Sequence, residues 1–317
     1  MTLATIKILE SGPYSTIQDI GRKGHQYLGV PEGGVSDLIS FNIANALLKN
    51  KLNNPVLETY VGGLKFTIDK KIFISFTGSM SDKLIIEKNN LKTYINPGTS
   101  KQIEPYCNVF VPQLVDSNCV IIGFSGEFLL PKVFNSLSTS VNSKIGGLNG
   151  SLLKKGDTFK IRINPDINSE FEVKNKSFFS VPSKIRVILG PQDFWFTKKG
   201  IQKFFSEKWT ITSQMDRMGI RLSGKTIEHK NNADILSDGI VKGSIQIPGN
   251  GQPIIMMSDH QTTGGYTKIA TVASVDYSKL SRLRPGTKIS FVSISQSEAS
   301  NLFRKQKQML DDEIKEL

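Results

Sequence analysis

Residues 155–161 (KGDTFKI) and residues 285–291 (PGTKISF) share one pattern: a turn at glycine, followed by apolar side chains at alternating positions. Alternation with a period of two is typical of a strand with one buried face, and glycine permits the tight turn before it. Two further pairs of segments are alike in the two halves of the chain: residues 8–13 and 187–191, and residues 19–21 and 216–219. This repetition predicts two related, β-barrel-like domains, with the boundary in the polar residues 164–183.

Short β-branched runs, separated by Gly, Pro, Asn or Asp, dominate the rest of the chain and predict a mostly β protein. The clearest strand candidates are residues 71–77, 108–111, 119–124, 184–189 and 288–293.

Three segments carry helical patterns. Residues 36–50 open with a Ser-Asp cap and are apolar on all sides, which predicts a buried helix. Residues 193–205 form a second candidate, interrupted by Gly200. In the tail, Ser295 and Glu298 have the spacing of a capping box, which predicts a C-terminal helix. Its apolar stripe consists of Ala299, Leu302, Phe303, Leu310 and Ile314.

Composition excludes several classes of function. The 317-residue chain has a formal net charge of +12, but only eight of its 40 basic residues are arginine and the lysines are scattered. Nucleic-acid-binding proteins cluster basic residues on one face, so we expect no nucleic-acid partner.

No apolar run could cross a bilayer and residues 1–7 resemble a first strand, so we expect a cytoplasmic protein with no membrane partner. The two cysteines and three histidines lack the spacing of a zinc site, so we expect no metal.

Residues 236–270 are the segment richest in Gly, Gln and Thr. One interpretation is a set of tight β-turns, and the other is a ligand loop of backbone and side-chain amides. A glutamine amide does not titrate and pairs a donor with an acceptor, which suits a planar amide or ureido group. Gly264 and Gly265 permit a backbone with positive φ and the close approach of a ligand, which a larger residue would block. The candidate binding residues are Gln246, Gln252, Gln261, Thr262, Gly264, Gly265 and Tyr266, and the candidate acid–base or orienting residues are Asp259, His260 and Tyr266.

Residues 213–222 hold two arginines, Arg217 and Arg221. A guanidinium binds two oxygens of a carboxylate or phosphate, whereas the alternative is a surface turn with an Asp–Arg pair of little energetic value. Residues 219–226 also match the phosphate-loop pattern G-x-x-x-x-G-K-[ST]. Because residues 220–222 alternate like a strand and no helix start follows, we predict strand and turn here.

A third segment joins glycine-rich turns to the start of the first predicted helix. Such a junction makes an anion site, because helix N-termini present free N–H groups. The alternative is hairpin turns plus an N-cap at Ser36 or Asp37. The candidate anion-loop residues are Gly21, Arg22, Gly33, Gly34 and Asp37.

Taken in order, these motifs resemble those of the family that comprises allophanate hydrolase subunit 2 and the 5-oxoprolinase C subunit. The matching stretches are residues 216–224, 237–240, 243–248, 251–255 and 259–266, and in the first half residues 16–22, 33–37, 45, 57–58 and 145–148. The family also includes biotin-dependent carboxyltransferases and an antagonist of a sporulation-kinase inhibitor. The resemblance implies two cyclophilin-like β-barrel domains, which we assign to residues 1–170 and 180–295, followed by a C-terminal helix at residues 296–317.

The resemblance further implies the C subunit of an ATP-dependent 5-oxoprolinase complex that cleaves 5-oxo-L-proline to L-glutamate. Its partners would be a protein of related fold, similar to the B subunit of 5-oxoprolinase, together with a lactam-utilisation A subunit. In that reaction Arg217 and Arg221 would bind phosphate, the glutamines would stabilise an oxyanion, and Asp259 or His260 would act as base. The first alternative is a carboxyltransferase or allophanate-type protein, with biotin supplied by another chain. The second alternative is a non-enzymatic antagonist of a kinase inhibitor.

The sequence departs from the family pattern in its middle. Where the family usually has Gly-Ser-Arg-Ser-Thr, residues 135–139 are Asn-Ser-Leu-Ser-Thr, and where it usually has Gly-Arg, residues 150–151 are Gly-Ser. Two arginines are therefore replaced, by Leu137 and Ser151. If these arginines bind an anionic group in relatives, the substrate or the reaction of this chain differs.

Overall fold

The computed structural model describes residues 2–315. The chain forms two compact units: the first takes residues up to 22, residues 33–180 and those from 309 onward, and the second takes residues 23–32 and 181–308. The sequence-based domains ran without interruption and treated the C-terminal helix as a separate segment. Residues 23–32 belong to the second unit because of their tertiary contacts. Local sequence motifs carry no information on such contacts, so the sequence did not predict this assignment.

The first unit is built from antiparallel strands and one helix. A seven-stranded sheet has the order β11-β12-β1-β4-β9-β6-β7, and a five-stranded sheet has the order β2-β3-β10-β5-β8. Their buried faces share one apolar core that includes Ile6, Phe66, Phe76 and Phe124. The elements are β1 Leu3–Ser11, β2 Tyr14–Gln18, α1 Leu38–Ala46, β3 Val56–Tyr60, β4 Leu64–Ile68, β5 Ile72–Thr77, β6 Leu84–Lys88, β7 Leu91–Ile95, β8 Thr99–Ile103, β9 Asn108–Phe110, β10 Cys119–Phe124, β11 Gly126–Phe128 and β12 Thr158–Ile163.

The second unit is a closed seven-stranded barrel with the order β13-β20-β17-β18-β15-β14-β21, in which β13 pairs parallel with β21. A separate two-stranded ribbon, β16 with β19, extends the unit. The barrel is filled by apolar side chains that include Trp209, Ile220, Ile245 and Ile255. The elements are β13 Lys184–Leu189, α2 Lys198–Ser206, β14 Trp209–Met215, β15 Gly219–Ser223, β16 Asp234–Gly239, β17 Ser244–Gln246, β18 Ile254–Met256, β19 Thr263–Tyr266, β20 Lys268–Val272, α3 Tyr277–Arg282, β21 Lys288–Ser293 and α4 Gln296–Lys315.

The prediction of a mainly β protein with a few short helices and a C-terminal helix is confirmed. The alternating segments 155–161 and 285–291 lead into β12 and β21, and the predicted strands 119–124, 184–189 and 288–293 agree with β10, β13 and β21. The capping box at the start of α4 is also present, because the Glu298 carboxylate accepts the Ser295 N–H at 2.7 Å while the Ser295 hydroxyl accepts the Glu298 N–H at 3.2 Å. No helix within residues 2–315 has the length and apolar content that a bilayer span requires.

The phosphate-loop match at residues 219–226 is a strand, as predicted. Gly219–Ser223 forms β15, which pairs with β14 on one side and with β18 on the other. A phosphate loop must instead wrap its backbone N–H groups around the phosphates ahead of a helix, so this segment cannot serve as one.

The turn at Gly33 and Gly34 packs directly against backbone in the first unit. Gly34 has φ +83°, and a Cβ atom there would lie 2.8 Å from the carbonyl carbon and oxygen of Ile20. Since backbone cannot move aside as a flexible side chain can, glycine is required at this position both for its φ and for its size.

We predict that Gly34→Ala lowers the free energy of unfolding by about 3 kcal/mol, because left-handed strain and a steric clash add together. Gly24→Ala is the matched control, since Gly24 has φ +84° with no atom within 4 Å of the added Cβ. We expect the control to cost only about 1 kcal/mol in urea denaturation. Equal losses in the two variants would show that the contact with Ile20 does not matter.

Candidate functional site

A cleft of about 1060 Å³ opens in the second unit, along β14, β15, β17 and β18. Five of the residues proposed from sequence for substrate binding line it: Arg221, Gln246, Gln252, Gln261 and Tyr266. They come from separate stretches of the chain, and the barrel brings them together. Gly264 and Gly265 belong to the neighbouring ribbon, Thr262 directly precedes it, and none of the three lines the cleft. The binding roles themselves stay predictions.

Arg221 presents the positive charge of the cleft. In β15 its neighbours Ile220 and Leu222 are buried in the barrel, so the alternation of the strand turns Arg221 outward. Its backbone pairs with Ile254 of β18, and its backbone carbonyl accepts a hydrogen bond from the Thr212 hydroxyl at 3.0 Å. No carboxylate of residues 2–315 pairs with its guanidinium, which is therefore available to an anionic ligand.

Two carboxamides, those of Gln246 and Gln261, supply neutral hydrogen-bonding groups. Gln246 is buried in β17, and its Nε2 lies 3.5 Å from the carbonyl oxygen of Tyr266. Gln261 is exposed at the rim. A Cβ atom added to Gly264 would lie 2.9 Å from Nε2 of Gln246 and 3.4 Å from that of Gln261. Glycine at 264 therefore makes room for both amides.

Gly264 and Gly265 do not use the positive φ that glycine permits. Both residues lie in β19, with the extended backbone of a strand paired to β16, and neither has positive φ. The Gly-rich composition suggested a turn, but ribbon pairing set the backbone conformation.

The predicted role of Gln252 also needs correction, because its carboxamide is already paired. Its Oε1 accepts the Gly224 N–H at 2.8 Å, and its Nε2 donates to the Gly224 carbonyl at 3.2 Å. This residue closes the turn after β15, so its amide is not available to a ligand in this arrangement.

Arg217 and Asp259 form a buried ion pair. Nε and Nη2 of Arg217 donate to the two Asp259 carboxylate oxygens at 2.9 and 2.8 Å, and the side chains are only 1% and 5% exposed. The Asp259 N–H also donates to the Arg217 carbonyl at 2.7 Å. The roles predicted for them, phosphate ligand and base, do not fit this arrangement, because each charge neutralises the other. The pair instead ties the turn before β15 to the segment that carries Gln261.

His260 is buried beside this pair. Its Nδ1–H donates to the Gln261 carbonyl at 2.7 Å, which fixes the backbone at the cleft rim. Burial lowers the pKa of His260 below its ordinary value of 6.5, and the hydrogen bond to Gln261 opposes that shift. The neutral ring is thus the form that the fold favours, with Nε2 as its unprotonated nitrogen. Since His260 does not line the cleft, its geometry favours orientation of Gln261 over proton transfer to a ligand.

Several polar groups of the candidate anion loop in the first unit are paired within the protein. The Asp37 carboxylate caps α1 by accepting the Ser40 N–H at 3.0 Å and the Ser40 hydroxyl at 2.6 Å. The buried Arg22 guanidinium donates to the backbone carbonyls of Val133 and Ser138. Asp19 accepts the Gly21 N–H at 2.8 Å. These contacts support the alternative interpretation, in which Gly21, Gly33 and Gly34 shape turns and Asp37 is an N-cap.

The two positions that lack the family's arginines differ in environment. Leu137 is 2% exposed and packs in the core of the first unit, whereas the Ser151 hydroxyl donates to the Leu148 carbonyl at 3.3 Å. At position 137 the side chain is therefore part of the core and does not face a ligand.

Sequence reasoning missed a cluster of three polar side chains at the base of the ribbon: Lys268, Asp238 and Gln192. The buried Lys268 ammonium lies 2.7 Å from Asp238 Oδ2, which also accepts a hydrogen bond from Gln192 at 3.1 Å. The hydrogen bond from Lys268 is the largest of the contacts that lower the pKa of Asp238. Its members lie far apart in the chain, so no motif could have revealed it. It anchors the ribbon that carries Tyr266 to the cleft.

The fold is that of a mainly β protein whose second unit is a closed barrel with a polar cleft. The chain belongs to the family of the carboxyltransferase domain, subdomain A and B, whose model matches residues 28–293.

Relatives of known name span the chain almost completely. The chain is 33% identical over 306 residues to the 5-oxoprolinase C subunit of Haemophilus influenzae, and the match covers 96% of each protein. Identity to the 5-oxoprolinase C subunit of Escherichia coli K12 is 31% over 294 residues, or 93% of each protein. Among solved structures, the K. lactis urea amidolyase matches 98% of this chain with a TM-score of 0.88 and 25% identity, although the match spans only 20% of that protein.

We predict that Asp259→Asn lowers the free energy of unfolding by about 3–5 kcal/mol, because it leaves the buried Arg217 guanidinium without this counter-charge. Glu127→Gln is the matched control: Arg162 and Glu127 lie 2.6 Å apart, but their side chains are 42% and 62% exposed. An exposed pair contributes about 1 kcal/mol at most. If urea denaturation gives similar losses for both variants, the buried pair does not have the structural role assigned here.

A second prediction concerns pH. Because the folded-state pKa of His260 is depressed, its neutral form stabilises the fold above pH 6.5, and this contribution is lost as pH falls below that value. His260→Gln removes this component, so the difference in unfolding free energy between wild type and variant should shrink as pH falls, by at most about 1.4 kcal/mol per unit. If the unfolding free energies of wild type and His260→Gln differ by a constant amount between about pH 7 and pH 5, the prediction is contradicted.

Proposed function

We propose that the chain is the C subunit of an ATP-dependent 5-oxoprolinase complex of the cytoplasm, which cleaves 5-oxo-L-proline to L-glutamate. The observation that carries this proposal is the cleft of the second unit, which brings the unpaired cation of Arg221 together with the carboxamides of Gln246 and Gln261. The similarity to the C subunits of two 5-oxoprolinases, each over more than nine tenths of the chain, supports the same reaction.

The groups in the cleft match the functional groups of this substrate. 5-Oxoproline carries a carboxylate and a lactam amide on one small ring. A guanidinium binds a carboxylate through two parallel hydrogen bonds, so Arg221 would hold the anionic end. A carboxamide offers both a donor and an acceptor, so Gln246 and Gln261 would pair with the lactam N–H and C=O.

The resonance of the lactam makes direct attack by water slow, which is why the proposal includes ATP to activate the carbonyl. The contribution of this chain would be to orient the ring and to stabilise negative charge that develops on the lactam oxygen, with donors already held in place.

The proposed complex also contains the nucleotide, a partner of related fold that resembles the B subunit of 5-oxoprolinase, and a lactam-utilisation A subunit. The cleft volume of about 1060 Å³ exceeds the size of a small lactam and leaves space for a further ligand or a partner segment.

The second candidate is a biotin-dependent carboxyltransferase or allophanate-type protein. The family description and the likeness to the K. lactis urea amidolyase favour it. The carboxamides of Gln246 and Gln261 suit the ureido ring of carboxybiotin as well as a lactam. Arg221 fits both candidates, because carboxybiotin and allophanate, like 5-oxoproline, offer a carboxylate to its guanidinium. Biotin would have to be carried into the cleft by another chain.

We predict that the chain alone does not turn over 5-oxoproline, since its phosphate-loop match is a strand. The complex with both partners should release glutamate in an ATP-dependent manner.

In that complex, Arg221→Ala should lower kcat/KM by roughly tenfold to a hundredfold, mainly through KM, because it removes a charged contact. Gln261→Ala should lower kcat to a similar degree, because it removes a donor to the oxyanion. Glutamate release is measured directly, and Arg162→Ala, an exposed arginine of the first unit, is the control.

Turnover by the chain alone, in a preparation free of partners, would contradict the prediction. Failure of the complete complex to release glutamate would reject the lactam hydrolase. Carboxylation of a urea-like substrate in the presence of a biotinylated carrier would then establish the second candidate. Normal kinetics in Arg221→Ala would remove Arg221 from the site while leaving the reaction itself intact.

A further inference from the structure

A second cavity, of about 330 Å³, lies in the second unit against the first half of α4. One wall is formed by barrel residues that include Ile188 of β13 and Val272 of β20, and the other by Ala299, Phe303 and Arg304 of the helix. We refer to it as the helix cavity. None of its lining residues lines the cleft described above, so the two are separate places in the fold.

The wall formed by α4 is held firmly. Ala299 packs with Ala273 and Val275 in a small apolar cluster, to which Leu302 also contributes. Further along the helix, Gln306 Nε2 donates to the Val275 carbonyl at 3.0 Å. With the capping box at the start of α4, these contacts fix the helix on both sides of the cavity, so its shape is preformed. A preformed pocket binds with less loss of conformational freedom than one that must be ordered first.

The lining combines apolar side chains with polar groups. Ile188, Val272, Ala299 and the Phe303 ring supply the apolar surface, while Ser300 and Tyr277 supply hydroxyl groups. Burial raises the pKa of Tyr277 to about 12, so its hydroxyl keeps its proton and remains a donor near neutral pH. A few convergent polar groups on an apolar surface are what small-molecule sites have in common.

The electrostatics of the cavity favour an anion. Arg304 is the charged residue of the lining, and none of the described residues that line the cavity is acidic. The adjacent carboxylate of Asp276 is buried and already paired, to Arg186 at 2.6 Å and to Lys279 at 2.9 Å. Its negative charge is thus compensated.

We propose that the helix cavity is a binding site for a small organic anion, namely a carboxylate on an apolar body about the size of one ring. The carboxylate would pair with the Arg304 guanidinium, and the ring would pack between Phe303 and the apolar barrel residues. A guanidinium is well suited to this role, because it binds carboxylate oxygens in a planar, bidentate manner. The site is independent of the proposed lactam hydrolysis, since it uses no residue of the cleft.

The test uses benzoate as the probe and benzamide as its neutral counterpart, with the full-length chain. Isothermal titration and a thermal-shift series should detect binding of benzoate, and benzamide should bind at least about tenfold more weakly, because it lacks the charge. Arg304→Ala should weaken benzoate by a similar factor of about ten or more. Ser300→Trp should abolish binding, because the indole ring fills the cavity from the exposed side of the helix.

Lys305→Ala is the matched control, since it removes one positive charge from the next position of α4 without changing the cavity lining. It should bind benzoate as the wild type does. Circular dichroism checks that Ser300→Trp is folded. Chemical-shift mapping on the wild type, which needs no variant, should place the perturbed amides at residues 271–274 and 299–304.

Four results would each overturn the proposal: no binding of benzoate at millimolar concentration, equal binding of benzamide, binding that persists in folded Ser300→Trp, or binding that is lost in Arg221→Ala. The last result would put the anion in the cleft. Because no arm of this test measures glutamate release, the proposal stands or falls separately from the proposed function.

Discussion

Closure of the barrel in the second unit is the constraint on which the cleft depends. Once seven strands close on themselves, every second side chain must point into a space that only apolar groups fill well. In β15 this places Ile220 and Leu222 inside and leaves Arg221 outside, facing the cleft. The same closure brings β18 beside β15 and β17 beside β18, so that Gln246 reaches the same cleft as Arg221.

Polar groups that resemble catalytic residues are largely engaged in holding the chain together. Arg217 and Asp259 neutralise each other, Gln252 bonds both backbone groups of Gly224, and Asp37 caps α1. Burying a charge or an amide without a partner is costly, so each of these groups is satisfied within the protein. What remains for a ligand is a smaller set: Arg221, Gln246 and Gln261. The buried groups serve this set indirectly, since the Arg217–Asp259 pair and His260 hold the backbone on which Gln261 is carried.

The barrel unit thus offers two kinds of place for a small molecule. The cleft is large and lined by amides with one guanidinium, which suits a polar, planar ligand. The helix cavity has about a third of that volume, and apolar side chains and Arg304 are among the groups that line it. The positive net charge of the chain favours anions at both, although Arg221 and Arg304 set the local preference through short-range contacts.

The sequence by itself determined the local conformation wherever a short-range rule was strong. Alternating apolar residues specified β10, β13 and β21, and the Ser295–Glu298 capping box specified the start of α4, because such patterns depend on neighbours a few residues away. It also indicated the stretches from which the cleft is built.

Only the tertiary structure decided which of their polar side chains stay available. The partner of Arg217 lies 42 residues away, and that of Gln252 lies 28 residues away. Pairing over such distances depends on how the strands close into a barrel, and no local pattern encodes it. For the same reason Gly264 and Gly265 became part of a strand, since their backbone follows the pairing of β19 with β16 rather than the freedom of glycine.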